Sequence, residues 1–241
     1  MKYAILAAGD GSRLVQEGET RPKPLVRVGG ETLIDRLLRV FMTNDATEIA
    51  VICNPQMTAV AAYLESVRLA GQIPLRYMIR STPSSLHSLW ALRPWLSDAP
   101  FILTTVDTIF QEPAFAAYVQ AFRQTTADAL MGVTDYIDDE RPLYVSTSDD
   151  MLITDFTDTS SQPHFVSAGI YGLTPRCFEA LGRCIDRGEQ RLRNFQRALV
   201  ADGLHLQAWP FSKVLDIDHA SDIEKAEDFL KTEDFESAVH I

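Results

Sequence analysis

The 241-residue chain sets 22 Lys and Arg against 33 Asp and Glu, a net charge of −11, with 46% hydrophobic and 23% charged residues. That balance is the one of a globular chain, and it lacks the basic footprint that nonspecific nucleic-acid binding needs, although a small nucleotide site can still be locally positive. No apolar run approaches the ~20 residues of a membrane span. Cys53, Cys177 and Cys184 form no CxxC pair and read as reduced thiols, and the chain runs from Met1-Lys2 straight into a short apolar stretch with no signal peptide. A soluble cytoplasmic protein is expected, with no nucleic-acid or membrane partner and compatible with a homo-oligomer.

Residues 3–8 read as a buried strand, followed by a glycine-bearing loop over 9–20. Residues 32–42 form a helix, since Leu33, Ile34, Leu37, Leu38 and Phe41 recur at the helical period. Strands over 48–53, 75–78 and 101–106 alternate with helices over 57–69, 86–96 and 114–124. Such alternation implies right-handed crossovers and a mostly parallel sheet covered on both faces. Ligands of such sheets sit beyond the carboxyl ends of the strands, where the loop after residue 8 and Asp107 both fall.

Past residue 125 the pattern changes. Residues 129–133, 143–147, 151–156 and 165–173 read as strands in closer succession, with turn signals at Asp138-Asp139 and Ser148-Asp149-Asp150 that predict antiparallel pairing. Helices over 175–187 and 192–201, strands over 205–209 and 214–217, and a helix over 220–230 complete the chain. The expected architecture is α/β: a Rossmann-like three-layer sandwich with a mostly parallel mixed central sheet and a small antiparallel sheet. No repeat or linker interrupts it, so residues 1–241 are expected to form a single domain, with a nucleotide-binding half over 1–125 and an acceptor-binding half over 126–241.

The sharpest motif is LAAGDGSRL, from Leu6 to Leu14. Gly9 and Gly11 let the backbone turn and approach a phosphate chain, the exposed N–H groups make an anion cradle, and Arg13 adds a planar charged fork. Downstream, RPKPLVRVGG runs from Arg21 to Gly30. Two prolines flank Lys23 and fix the direction of its ammonium, and they are expected to keep the segment extended across the mouth of the site. Arg21 and Arg27 read as charges on a stiff connector.

These residues resemble the sugar-phosphate nucleotidyltransferases, a MobA-like, GT-A-like group of NTP transferases. The signature LAAGxGxRL, then KPL, then a valine-glycine turn is matched by Leu6–Leu14, Lys23-Pro-Leu25 and Val28-Gly29-Gly30. The resemblance extends to Leu103-Thr-Thr-Val-Asp107 and to Leu215-Asp-Ile-Asp-His-Ala-Ser-Asp222. It implies a magnesium-dependent enzyme that moves an NMP from an NTP to a phosphorylated acceptor, a sugar 1-phosphate or a phosphocholine-like compound, releasing pyrophosphate. Arg13 and Lys23 would be catalytic, and Leu6, Ala8, Gly9, Gly11, Ser84 and Ser85 would bind nucleotide. Gly169 and Tyr171, on the segment that resembles the family's sugar-side strand, would bind the acceptor. Asp107 with Asp216, or with Asp218 as second candidate, would hold Mg²⁺, an ion that takes one or two carboxylates plus phosphate oxygens and water.

The chain departs from the family pattern at Val106, where typical members carry glycine, and at Thr157-Asp158-Thr159-Ser160, where they carry a Glu-Lys-Pro turn. Ser84 and Ser85 read equally as base contacts or as caps of the following helix. Two rival readings remain: a non-catalytic sensor of a nucleotide or metabolite, and a dehydrogenase, which the incomplete GxGxxG disfavours. His87 reads as a helix-surface residue, and the other histidines show no ligand spacing.

Overall fold

The computed structural model describes residues 1–9, 11–138, 140–160 and 165–238; Asp10, Asp139, His164 and His240 lie outside them. The elements are β1 (Lys2–Ala7), α1 (Ser12–Gln16), β2 (Arg27–Val28), β3 (Glu31–Thr32), α2 (Leu33–Thr43), β4 (Glu48–Cys53), α3 (Thr58–Ala70) and β5 (Leu75–Ile79). There follow α4 (Ser85–Leu96), β6 (Phe101–Thr105), β7 (Thr108–Ile109), α5 (Glu112–Gln124), β8 (Ala129–Thr134), β9 (Tyr144–Thr147) and β10 (Ile153–Thr157). The last are β11 (Phe165–Leu173), α6 (Cys177–Asp186), α7 (Leu192–Ala201), β12 (Leu206–Phe211), β13 (Leu215–Asp216) and α8 (Ala220–Ala238).

Among the described residues nine strands make one mixed sheet. β1 lies parallel between β4 and β6, with Ile5 opposite both Val51 and Thr104, and β5 continues beyond β4. β11 runs antiparallel to β6, β8 and β9, while β12 lies parallel to β8. Two small antiparallel pairs stand outside it, β2–β3 and, on the later half of the chain, β7–β13, in which Thr108 faces Asp216. The expected fold class is thus observed, and within the nine-stranded sheet antiparallel pairing is made by strands after residue 125, as the closer strand spacing predicted.

The alternation along β1 explains why both faces are covered. Tyr3, Ile5 and Ala7 enter one core with Leu37, Phe41 and Phe115, whereas Ala4 and Leu6 enter the other with Leu89, Phe178 and Leu199. A strand wholly buried on both faces reads as the continuous apolar run seen in the sequence. In the first core Tyr3 stacks on Phe41 at 4.3 Å and Phe110 on Phe115 at 4.4 Å, and such pairs add about 0.5–1.5 kcal/mol each beyond their burial. α2 starts where Thr32 Oγ1 accepts the Asp35 N–H at 3.2 Å, a side-chain cap on one of the orphan amides of the helix start.

Two local expectations fail. The loop after β1 is interrupted by α1, one short helical turn that begins at Gly11. The segment around Lys23 is not extended: Lys23–Leu25 form a single 3₁₀ turn, closed by Leu25 N–H on Pro22 O at 2.8 Å and Val26 N–H on Lys23 O at 3.1 Å. Proline is excluded from a helix interior but not from its first positions, where its missing N–H would have no partner and its fixed φ already suits the turn.

Candidate active site

The carboxyl ends of β1 and β6 open onto a cavity of about 630 Å³. β1 is the point where the strand order reverses, running out to β4 on one side and β6 on the other, the place where open α/β sheets leave a crevice. Leu6, Ala8, Gly9, Gly11, Arg13, Lys23, Ser84, Ser85 and Asp107 all line it, so the structure brings together the residues assigned to nucleotide and catalysis. Gly11 has φ of +62°, and a Cβ there would stand 3.1 Å from Lys23 Cβ. The glycine is therefore what lets the loop close down on the lysine. At Gly9 a Cβ would meet nothing within 4 Å, which leaves open room above the loop backbone.

Lys23 is the centre of the site. Its side chain is buried, 8% exposed, and its ammonium touches Asp107 Oδ2 and donates to Asp218 Oδ1 at 2.8 Å. Burial works against the charged amine, and the Asp107 and Asp218 carboxylates more than offset it, so its pKa ends well above the ordinary lysine value. Arg13, half exposed, donates to the other oxygen of Asp218 at 3.0 Å and lies 3.8 Å from Glu140. Asp218 thus carries both cations predicted to be catalytic.

Asp107 is placed by a tight turn between β6 and β7. The Val106 N–H bonds Leu6 O at 3.1 Å, Asp107 O accepts the Ile217 N–H at 3.1 Å, and the Thr105 and Thr108 hydroxyls bond at 2.7 Å. Gly169, with φ of +72°, lies beneath: a Cβ would come 3.2 Å from Thr108 Oγ1. Asp218 follows β13, whose pairing with β7 brings the two aspartates together. Asp222 accepts the N–H groups of Asp218 and His219 at 3.1 and 2.8 Å, and Glu17 accepts that of Ala220 at 2.7 Å. The start of α8 is thereby tied to the end of α1, and the Glu17 hydrogen bond raises the pKa of His219.

Three assigned residues lie elsewhere than the sequence led one to expect. Asp216, favoured as the second metal ligand, lines the neighbouring cavity but not the nucleotide one, whereas Asp218 lines both. β13 ends at Asp216, so strand alternation no longer sets the direction of Asp218, which is taken into the site by the turn into α8. Gly169 and Tyr171 do not line the acceptor-side cavity. Gly169 supports the Asp107 turn, and Tyr171, buried at 7% exposure, belongs to the second core. Burial pushes its phenol up to about 12 against the pull of Ser167. Val166, Ser167 and Ala168, three residues earlier on β11, take the wall position.

That second cavity, about 220 Å³, is also lined by Arg13, Thr134, Tyr136, Pro142, Asp216, Asp218 and Lys225. Asn54, Thr82, Ser88 and Thr105 in the nucleotide cavity were missed by the sequence reading. Asn54 and Thr105 stand at or just past carboxyl ends of parallel strands, a positional signal that could have found them. Ser84 makes no side-chain cap to α4; its hydroxyl bonds His87 Nδ1 at 2.9 Å. The capping alternative for Ser84 therefore falls. Cys53, Cys177 and Cys184 are free and buried. Burial raises their thiols to about 11, 12 and 11, which leaves them inert.

Among the described residues no three His, Cys, Asp or Glu converge to form a metal cage by themselves. What is present is a carboxylate pair, Asp107 and Asp218, and Asp107 Oδ1 is buried with no hydrogen-bond partner. An unbonded buried carboxylate oxygen is costly unless a cation meets it. The pair fits Mg²⁺ arriving with phosphate oxygens and water, and it does not fit a self-contained metal site.

The family follows from residues 3–203, which match the model of the MobA-like NTP transferase domain. The chain belongs to that family. UTP–glucose-1-phosphate uridylyltransferase AglF of Haloferax volcanii is 26% identical over 86% of this chain and 87% of its own length. The inositol-1-phosphate CTP transferase of T. maritima superposes with a TM-score of 0.78 at 18% identity, covering 95% of this chain and 97% of its own. A Bacillus anthracis protein assigned as a glucose-1-phosphate thymidylyltransferase, crystallised with sucrose, gives 0.82 at 21% identity over 95% and 94%. The two structures establish the fold. None of the helices among the described residues is long and apolar enough to cross a membrane.

Proposed function

We propose that this nucleotidyltransferase moves an NMP from an NTP to a small phosphorylated acceptor, releases pyrophosphate, and uses Mg²⁺ held by Asp107 and Asp218. The observation that carries the reading is the buried Lys23 ammonium, bonded to Asp107 in the larger cavity and to Asp218, which lines both. The larger cavity takes the NTP, with its phosphates over Gly9 and Gly11 and its base toward Ser84, Ser85 and Ser88. The smaller takes the acceptor, whose phosphate oxygen attacks the α-phosphorus in line with the departing pyrophosphate.

Such chemistry needs positioning and charge neutralisation rather than a covalent partner. An acceptor phosphate is already ionised at pH 7, so no general base is required. Lys23 leaves its two carboxylates to stabilise the charge that builds at the α-phosphorus, and Arg13 neutralises the pyrophosphate. Bound Mg²⁺ would supply Lewis-acid polarisation of the phosphate oxygens.

The acceptor side supports a sugar or polyol phosphate over a phosphocholine-like compound. Recognition of a quaternary ammonium uses free aromatic faces. Among the described residues Tyr136 is the aromatic in that cavity, and Lys213 Nζ already stands 4.4 Å over its ring. Such substrates support a cytoplasmic location. Pyrophosphate release with Mg²⁺, each of CTP, UTP, dTTP, ATP and GTP, and glucose 1-phosphate, myo-inositol 1-phosphate or phosphocholine tests the proposal. Release that needs one NTP and one acceptor is expected; an NTP that binds but is never turned over with any acceptor would return the chain to the sensor reading.

A further inference from the structure

α7 buries an apolar face made of Leu192, Phe195, Ala198 and Leu199, and Gln196 sits in the same face at 3% exposure. A carboxamide is an expensive occupant of such a position unless it is bonded, and a leucine would fill the space at no such cost. Among the described residues its side chain has one hydrogen bond: Ser167 Oγ donates to Gln196 Oε1 at 2.9 Å. Ser167 belongs to β11, 29 residues away in sequence, and stands in the wall of the acceptor-side cavity.

The chemistry of the bond sets what the serine can do. An amide oxygen only accepts, so the single hydroxyl proton goes to Gln196, and the Tyr171 phenol, which is hydrogen-bonded to the same hydroxyl and stays protonated, donates to its oxygen. The cavity is left facing a hydroxyl oxygen with one lone pair and no proton. That group repels phosphate oxygens and accepts from an O–H donor. The strand is also built to aim this residue. The pairing of β11 with β8 shifts register between Ser167 and Tyr171, around Gly169 with its φ of +72°, and such bulges redirect side chains beside active sites.

We infer that Ser167 and Gln196 form a specificity pair, in which buried Gln196 is a positioning residue that orients the Ser167 hydroxyl so that its oxygen accepts from a hydroxyl group of the acceptor. This rests on the transfer reaction proposed above and deepens it: the acceptor is selected as a hydroxylated phosphate, a sugar or polyol, by a residue that never touches it.

Steady-state kinetics with the panel above tests the pair through Ser167→Ala, Gln196→Leu and the double variant. The expected result is a three- to tenfold rise, on the order of one hydrogen bond, in KM for glucose 1-phosphate or inositol 1-phosphate. KM for the NTP stays unchanged, and the double variant is no worse than either single one. Ser167→Ala removes one oxygen at a cavity wall and tests the contact even if Gln196→Leu melts early, which a thermal scan reports. Additive effects, an equal rise in KM for the NTP, unchanged KM for the acceptor, or faster wild-type turnover of phosphocholine than of the hydroxylated acceptors would each overturn the pair and leave the reaction standing. Absence of turnover with every acceptor and every NTP would instead remove the reaction, and this inference with it.

Discussion

The nucleotide cavity and the acceptor cavity share Arg13 and Asp218 but are made of different material. The first is built where parallel strands end, from backbone and small residues: two glycines, the Asp107 turn, and a lysine clamped by a 3₁₀ turn between prolines. The second is built from side chains on antiparallel strands and on the turn into α8, each of which arrives from a distant part of the chain. Triphosphates are common to every NTP, so a wall of backbone and fixed charge suits them. Acceptors differ in their hydroxyls and outline, and only side chains can express that difference. One cavity can therefore stay constant while the other changes.

The sharpest way to break this division is at the charges gathered on the shared Asp218. Lys23→Ala should lower kcat by about 10²–10³-fold with any NTP and any acceptor, as expected for loss of one preorganised charge at the transition state; pyrophosphate release measures it. Next come the two aspartates that the sequence left as alternatives. Asp218→Asn should cost about 10²-fold in kcat, because it removes a charge from both cations and from the metal pair. Asp216→Asn should leave kcat within a few-fold and act on KM for the acceptor; a reversed order would restore Asp216 as the metal ligand.

Smaller effects sharpen the comparison. Gly169→Ala forces a Cβ into the left-handed region and against Thr108. It should destabilise the fold by about 1–2 kcal/mol and lower kcat by disturbing the Asp107 turn, with a urea melt separating the two. Ser84→Ala should raise KM for the NTP about threefold and leave KM for the acceptor alone, since the removed hydroxyl faces only the nucleotide cavity and His87.

The legibility of the two cavities in the sequence follows the same division. Gly9, Gly11, Arg13, Lys23 and Asp107 were readable because each lies in a short contiguous motif, or at the end of an apolar strand, and because a glycine or a proline has a local conformational meaning. The 3₁₀ turn at Lys23 was not, since proline forbids a helix interior while permitting its first turn. Asp218 was ranked below Asp216 because the direction of each depends on where β13 stops, and strand ends are set by tertiary partners such as Asp222 and Glu17. The step from Tyr171 to Ser167 was hidden by the register shift at Gly169. Gln196 carried no signal as a site residue: in the sequence it is one polar residue in an amphipathic helix, and only the packing of α7 on β10 and α6 brings Ser167 of β11 within reach of it.

The transfer itself is most directly followed with NTP labelled at the α-phosphate, incubated with Mg²⁺ and a sugar or polyol phosphate. The wild type should move the label into a diphosphate-linked conjugate of nucleoside and acceptor, only when the acceptor is present, and neither Lys23→Ala nor Asp218→Asn should do so at a comparable rate. Label appearing in free NMP without an acceptor, or a conjugate formed equally well by both variants, would contradict the assignment of the two cavities and of the lysine bonded to the aspartate they share.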